Sequence, residues 1–177
     1  MSKFCPIVNK NITYQFCQDC DDKICTKPRL KLKAPIVISD TPITKHSNFY
    51  DLNQKFGNAI IFQNEQIVTI INAYFDYKGT RYRGFAEIVW NLGEDTIDHI
   101  NWWFEGNLGN CNKFPREQYL IDLFNYNKAK MNEIFGLATV ETKDFFKYDC
   151  DDFTISCDKD TAHIDNNFGA CISIKFK

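Results

Sequence analysis

Residues 66–92 read QIVTIINAYFDY-KG-TRYRGFAEIVWNL, and this stretch decides the fold. Two runs rich in Ile, Val, Thr, Tyr, Phe and Trp flank Lys78-Gly79. Branched and aromatic side chains favour extended backbone, and a two-residue link ending in Gly is a tight hairpin turn. The stretch therefore predicts two paired strands, 66–77 and 80–92. Upstream, Asn64-Glu65 is a second tight connection, pairing residues 59–63 with 66–77. Downstream, Gly93-Glu94-Asp95 turns the chain into Thr96–Phe104. Four strands joined by short turns make an antiparallel meander.

Beyond the meander, Leu120, Leu123, Phe124, Met131, Ile134 and Phe135 recur at helical spacing. Asn112 suits the cap, Pro115 the first turn and Gly136 the C-terminal stop. This predicts one long helix whose apolar stripe packs on the sheet. Leu137–Thr142, Asp152–Cys157 and Ala170–Phe176 read as further strands, with Phe153, Ile155 and Cys157 alternating, as do Ile172, Ile174 and Phe176.

Period two also assigns faces. In the second strand Val68, Ile70, Asn72 and Tyr74 share one face, and Ile67, Thr69, Ile71, Ala73 and Phe75 the other. In the fourth, Ile100, Trp102 and Phe104 oppose Ile97, His99, Asn101 and Trp103. Adjacent Trp102 and Trp103 cannot enter one core layer, so one of them lies against another element, a partner or water.

The first 25 residues carry a different signal: Cys5-x11-Cys17-x2-Cys20-x4-Cys25. A Cys-x2-Cys pair on a tight turn aims two sulfurs at one point, and two more thiolates complete a tetrahedron. Asn9-Lys10-Asn11 reads as the turn of a small hairpin, between Ile7-Val8 and Ile12-Thr13-Tyr14, that returns the chain to the knuckle. So short a segment draws its folding free energy from the metal. The expected cofactor is a structural Zn2+ on Cys5, Cys17, Cys20 and Cys25. The tight ferredoxin run of an iron–sulfur site is not matched, and no βαβ pattern leads into Cys17 as a redox Cys-x-x-Cys would require. Unrelated reduced thiols are the plain alternative.

Thr26 to Lys33 follows, with Arg29, Lys31 and Lys33 alternating with Leu30 and Leu32. This is a strand with one apolar and one basic face. It is either a phosphate-contacting edge or an edge whose lysines block aggregation. Ile36–Ile38 is a short strand, and the polar 40–57 stretch reads as a surface loop. The expected organisation is a zinc-binding module with a basic strand at 1–33, a linker with a short strand at 34–57, and an α+β domain at 58–177. The fold class is α+β, an antiparallel meander on one long helix with a small four-cysteine zinc-knuckle module at the N-terminus.

The chain has 177 residues, enough for one domain with a core and a small appendage. No apolar run is long enough to span a membrane, and the N-terminus lacks a signal-peptide core, which places the protein in the cytoplasm. Eight cysteines then read as ligands and buried thiols, not disulfides. Charge is uneven. Residues 1–33 carry seven Lys/Arg against three Asp, a net of +4; residues 141–168 carry eight Asp/Glu against three Lys, a net of −5. Such asymmetry speaks to partners.

No phosphate-binding glycine loop, nucleophile elbow or His-Glu-x-x-His motif is present. A calcium loop starting at Asp158 would need Gly and Glu where His163 and Gly169 stand. Cys150, Cys157, His163 and Cys171 lack knuckle spacing and read as buried thiols plus a histidine. A histidine-based site has only His46, His99 and His163 to draw on. The function expected is therefore a non-enzymatic binding protein, an adaptor or inhibitor engaging a protein or nucleoprotein partner. Trp102, Trp103, Asp149, Asp151, Asp152, Asp158 and Asp160 are its partner-binding residues. The alternatives are direct nucleic-acid binding through 27–33 and 78–83, with Arg29, Lys31, Lys33, Arg81 and Arg83 in contact, or a metal-dependent hydrolase using His99 or the Asp cluster.

Overall fold

The computed structural model describes residues 2–5, 10–13, 30–105, 116–159 and 170–177. Strand β1 (Ser2–Cys5) pairs antiparallel with β2 (Lys10–Thr13). A hairpin of β3 (Ile36–Ile38) and β4 (Thr41–Ile43) follows, then α1 (Phe49–Phe56) and a 3-10 turn at Gly57–Ala59. Next come β5 (Ile60–Gln63), β6 (Ile67–Tyr77), β7 (Thr80–Trp90) and β8 (Ile97–Phe104). Helix α2 (Arg116–Phe135) leads to β9 (Val140–Glu141), β10 (Phe145–Asp149), β11 (Phe153–Asp158) and β12 (Ile172–Phe176).

β5 to β12 form one eight-stranded antiparallel sheet in the order β5-β6-β7-β8-β12-β11-β10-β9. The predicted meander is its first half, and the turn at Lys78-Gly79 has both residues at positive φ. The second half returns so that the last strand pairs with β8, Ile174 opposite Ile100. The architecture is α+β, with two helices among the described residues where one was expected. No helix among those residues is long and apolar enough to cross a membrane.

Helix α1 falls in the stretch read as loop. Its cap is Asn48, whose Oδ1 accepts from the amides of Tyr50 at 2.8 Å and Asp51 at 3.3 Å. Leu52 and Phe56, four residues apart, are buried. Ile38, Ile43, Leu52 and Phe56 share one core with the sheet and α2. The turn after β3 is Ser39-Asp40, both at positive φ, and Thr41, inside the stretch read as loop, begins β4. The loop reading failed because α1 buries only two of its eight positions, and its polar residues hid the period.

Leu123, Phe124, Met131 and Ile134 of the predicted stripe are buried, and so is Asn127, whose Nδ2 donates to the Ala170 carbonyl at 3.0 Å. Gly136 ends α2 at positive φ, its amide donating to Asn132 O at 2.9 Å. The capping residues expected at 112 and 115 lie outside the described residues.

Two bulges overturn the face assignments. Between Ile70 and Ala73 the β6–β7 register shifts by one, with Asn72 at φ 52°. The extra residue flips the phase, so Val68 and Ile70 share the core with Ala73 and Phe75. The same happens between Val89 and Trp90, where Asp98 is the extra residue in β8. Ile97 thereby joins Ile100, Trp102 and Phe104 in the core.

Candidate interaction surfaces

Of the four knuckle cysteines, Cys5 closes β1 opposite Lys10, and Cys17, Cys20 and Cys25 lie outside the described residues. The hairpin expected there, Ile7-Val8 turning at Asn9-Lys10-Asn11, is not the pairing seen: Lys10 and Asn11 lie in β2, opposite Cys5 and Phe4 of β1. Among the described residues no group of three or more His, Cys, Asp or Glu is arranged to hold a metal.

Arg29 is also outside the described residues. Leu30 and Leu32 pack on the core while Lys31 and Lys33 are exposed, the alternation the sequence predicts. The segment is not a laddered strand, however. It makes a single parallel bridge, Leu30 with Cys150, and lies along the 149–152 turn: Leu30 N donates to Asp149 O at 3.0 Å, Asp151 N to Leu32 O at 3.2 Å, and Ala34 N to Asp152 Oδ2 at 3.0 Å. Basic and acidic segments of this chain are thus neighbours.

The acidic residues are largely engaged within the chain. Asp149 pairs with Lys177 at 2.9 Å, Asp144 with Lys159 at 2.7 Å and Glu141 with Lys128 at 2.7 Å. Asp152 holds the Ala34 amide, Asp151 and Asp158 are half-buried, and Asp160 lies outside the described residues. Lys177 Nζ also donates to the Cys150 carbonyl.

Trp102 and Trp103 are 3% and 5% exposed. They point to opposite faces, as adjacent strand residues must: Trp102 into the main core, Trp103 against Phe85, with ring centroids 5.1 Å apart. Neither ring is on the surface, so an exposed aromatic anchor has to be sought elsewhere.

At the β6–β7 tip, Arg81, Tyr82 and Arg83 line a shallow depression with Tyr126 and Lys130 of α2. Arg81 makes a two-pronged bond to Asp76, both contacts 2.9 Å, and lies over the Tyr74 ring at 3.8 Å. The guanidinium holds the Asp76 carboxyl below its usual range. Lys130 pairs with Glu133 at 2.9 Å. Arg83 alone of these cations has no carboxylate partner among the described residues.

His99 belongs to a polar row across β7, β8 and β12. Its Nδ1 meets Asp98 Oδ2 at 2.7 Å, and Nε2 meets Asn101 Nδ2 at 3.2 Å. Asn101 Nδ2 also donates to Glu87 Oε1 at 3.0 Å, and its Oδ1 accepts from the Cys171 thiol at 3.4 Å. Burial pushes that thiol up to about 12, and Cys150 likewise to about 12, so neither is a nucleophile near neutral pH. With both imidazole nitrogens and Asn101 engaged, the row reads as a satisfied hydrogen-bond network. Cys157 is the third free, buried thiol among the described residues. His46 is exposed, and His163 lies outside the described residues.

The sheet's outer edges contrast sharply. β9 is two residues long, and its Glu141 is salt-bridged. β5 at the other edge reads Ile60-Ile61-Phe62-Gln63, with no charge and no proline, and Ile61 and Phe62 are 55% and 52% exposed. Ile61 is the extra residue of a bulge against β6. Trp90 N bonds to Gln66 O, which puts Leu92, 79% exposed, at the same end of the sheet. Short edges, bulges, charges and prolines are the usual protection against strand addition; among the described residues β5 has its bulge and its four-residue length, and neither charge nor proline. The apolar run is visible in the sequence; that it is outermost is a property of the topology. No family model matches the chain, and no curated protein or solved structure matches it.

Proposed function

We propose that the chain is a non-enzymatic binding protein of the cytoplasm, an adaptor or inhibitor, which engages a protein or nucleoprotein partner by adding a partner strand to β5. The observation that carries this reading is an outer edge strand without charge or proline, with Ile61 and Phe62 exposed on it. In strand addition the main chain supplies hydrogen bonds, and alternate side chains supply specificity. Exposed apolar groups gathered at one rim mark an interaction site more often than scattered ones do. The test is affinity capture from the native cell, with wild type and the Ile61→Lys/Phe62→Lys double variant compared. A protein retained by the wild type and lost by a variant of equal melting temperature supports the reading. Identical retained sets oppose it.

In the same reading Cys5, Cys17, Cys20 and Cys25 hold one structural zinc. Four thiolates close the coordination sphere, so the metal would fix the N-terminal hairpin and perform no chemistry. Elemental analysis of purified protein should find close to one zinc per chain. Less than about half an equivalent, or a visible absorption band from iron, contradicts it.

Direct nucleic-acid binding is favoured by one observation, the Arg81–Arg83 depression with its two tyrosines. Arg81 and Lys130 already have carboxylate partners there, which leaves less free charge than a phosphate-tracking surface needs.

A further inference from the structure

Between residues 32–38, the core face of the sheet and helix α2 lies a cavity of about 220 Å³. Phe75, Trp102, Ile155 and Ile174 of the sheet line it together with Met131 and Phe135 of α2. Voids much larger than a water molecule are few in folded cores. This one also has a way in. Lys33, Val37 and Asp76 are exposed and line it too, so it reaches the surface beside them.

The interior of the cavity is hydrocarbon. Four lining residues carry polar side-chain atoms: Lys33, Asp76, Tyr77 and Trp102. The first two stand at the mouth, in water, and Asp76 is taken up by Arg81 through both carboxylate oxygens. Tyr77 packs its ring edge-on against Phe135, with centroids 4.8 Å apart. The Trp102 nitrogen has essentially no surface that a water could reach, so that ring offers the cavity only carbon. A buried water needs two to four polar partners, and this wall does not supply them. Such a space stays dry and takes up apolar molecules.

Volume sets the size of the guest. A dry cavity of roughly 150 Å³ accommodates benzene, with six heavy atoms. In proportion, about 220 Å³ accommodates roughly nine. Drug-sized ligands need roughly 300 Å³ or more, which excludes a nucleotide.

We infer that this cavity is a binding site for a small hydrocarbon-like molecule of up to about nine heavy atoms, held by apolar contact and fit, with no hydrogen bond to the wall. The site is separate from the β5 edge and stands or falls independently of it.

The chain has two methionines, Met1 and Met131, and the second lines the cavity. Full-length protein labelled with 13C at the methionine methyls is titrated with benzene, ethylbenzene, propylbenzene, pentylbenzene and pyrazine, and Met131→Leu assigns the Met131 signal. An aromatic guest in the cavity should shift the Met131 methyl saturably through its ring current. Each CH2 from ethylbenzene to propylbenzene should tighten binding roughly fourfold. Pentylbenzene should gain no more, because its last carbons pass the exposed rim. Pyrazine has the shape of benzene with an acceptor at each end, so it must bury one of them unpaired and should bind at least about tenfold more weakly than benzene. Ile174→Phe takes up part of the space and should weaken propylbenzene by at least about tenfold. Ile61→Lys/Phe62→Lys should leave it unchanged. The wild-type series decides even where Ile174→Phe does not fold. No saturable Met131 shift, affinities that do not rise from benzene to propylbenzene, or pyrazine binding as tightly as benzene would each overturn the proposal.

Discussion

Asn72 sets which side of β6 faces the core. It sits at φ 52° in the bulge between Ile70 and Ala73, a conformation Asn tolerates and branched residues resist. Without the extra residue, Ala73 and Phe75 would turn away from the core that Val68 and Ile70 enter. Asn72→Val should therefore destabilise by about 1–2 kcal/mol in denaturant unfolding, while Asn72→Gly should be neutral within about 0.5 kcal/mol. Equal midpoints for valine and wild type would show that the bulge does not depend on this residue. The flaw in the two-residue period was local. A single polar residue inside an apolar strand is a visible sign of a bulge, but Asn72 alone does not say on which side of it the phase slips.

Pairing of β8 with β12 joins the two halves of the sheet, and Asp98 reinforces that seam. As the bulge residue of β8 it meets His99 Nδ1 at 2.7 Å and Lys175 Nζ of β12 at 3.2 Å. The His99 bond first, then Lys175, holds its carboxyl below the usual range. A carboxylate with a depressed folded-state pKa stabilises above its unfolded value, near about 3.9, and loses that contribution as pH falls through the folded value. Wild type should thus lose melting temperature on acidification below about pH 4. Asp98→Asn should melt lower at neutral pH and fall less steeply in acid, and parallel curves would remove Asp98 from the account. Elements with local patterns were legible in the sequence: the Lys78-Gly79 hairpin, the α2 stripe through Leu123, Phe124, Met131 and Ile134, and the alternation of Phe153, Ile155 and Cys157. Helix α1 was not, since only Leu52 and Phe56 mark its inner face. Nor was β10, although Phe146 and Tyr148 alternate, because the surrounding Asp residues read as loop. Pairing partners far apart in sequence, such as Ile100 with Ile174, carry no local signal at all.

At the scale of the whole molecule, two expectations about the surface changed together. The acidic stretch lies beside the basic segment 30–34 and the C-terminal Lys177, so part of its charge is answered within the chain. The paired tryptophans are interior, one on each face of the sheet. Among the described residues, one surface open to a partner is the apolar edge at β5, opposite a β9 edge that is short and charged. In the proposed reading a partner would be recognised by its backbone first, with Ile61, Phe62 and Leu92 adding apolar contact at the rim. Amide hydrogen exchange on the purified chain, alone and with the captured partner, tests this most directly. Strand addition should slow exchange across residues 60–63 by at least about tenfold, since amides on the open side of β5 gain partners. Protection confined to other regions, with the 60–63 amides exchanging as fast in the complex as alone, would contradict it.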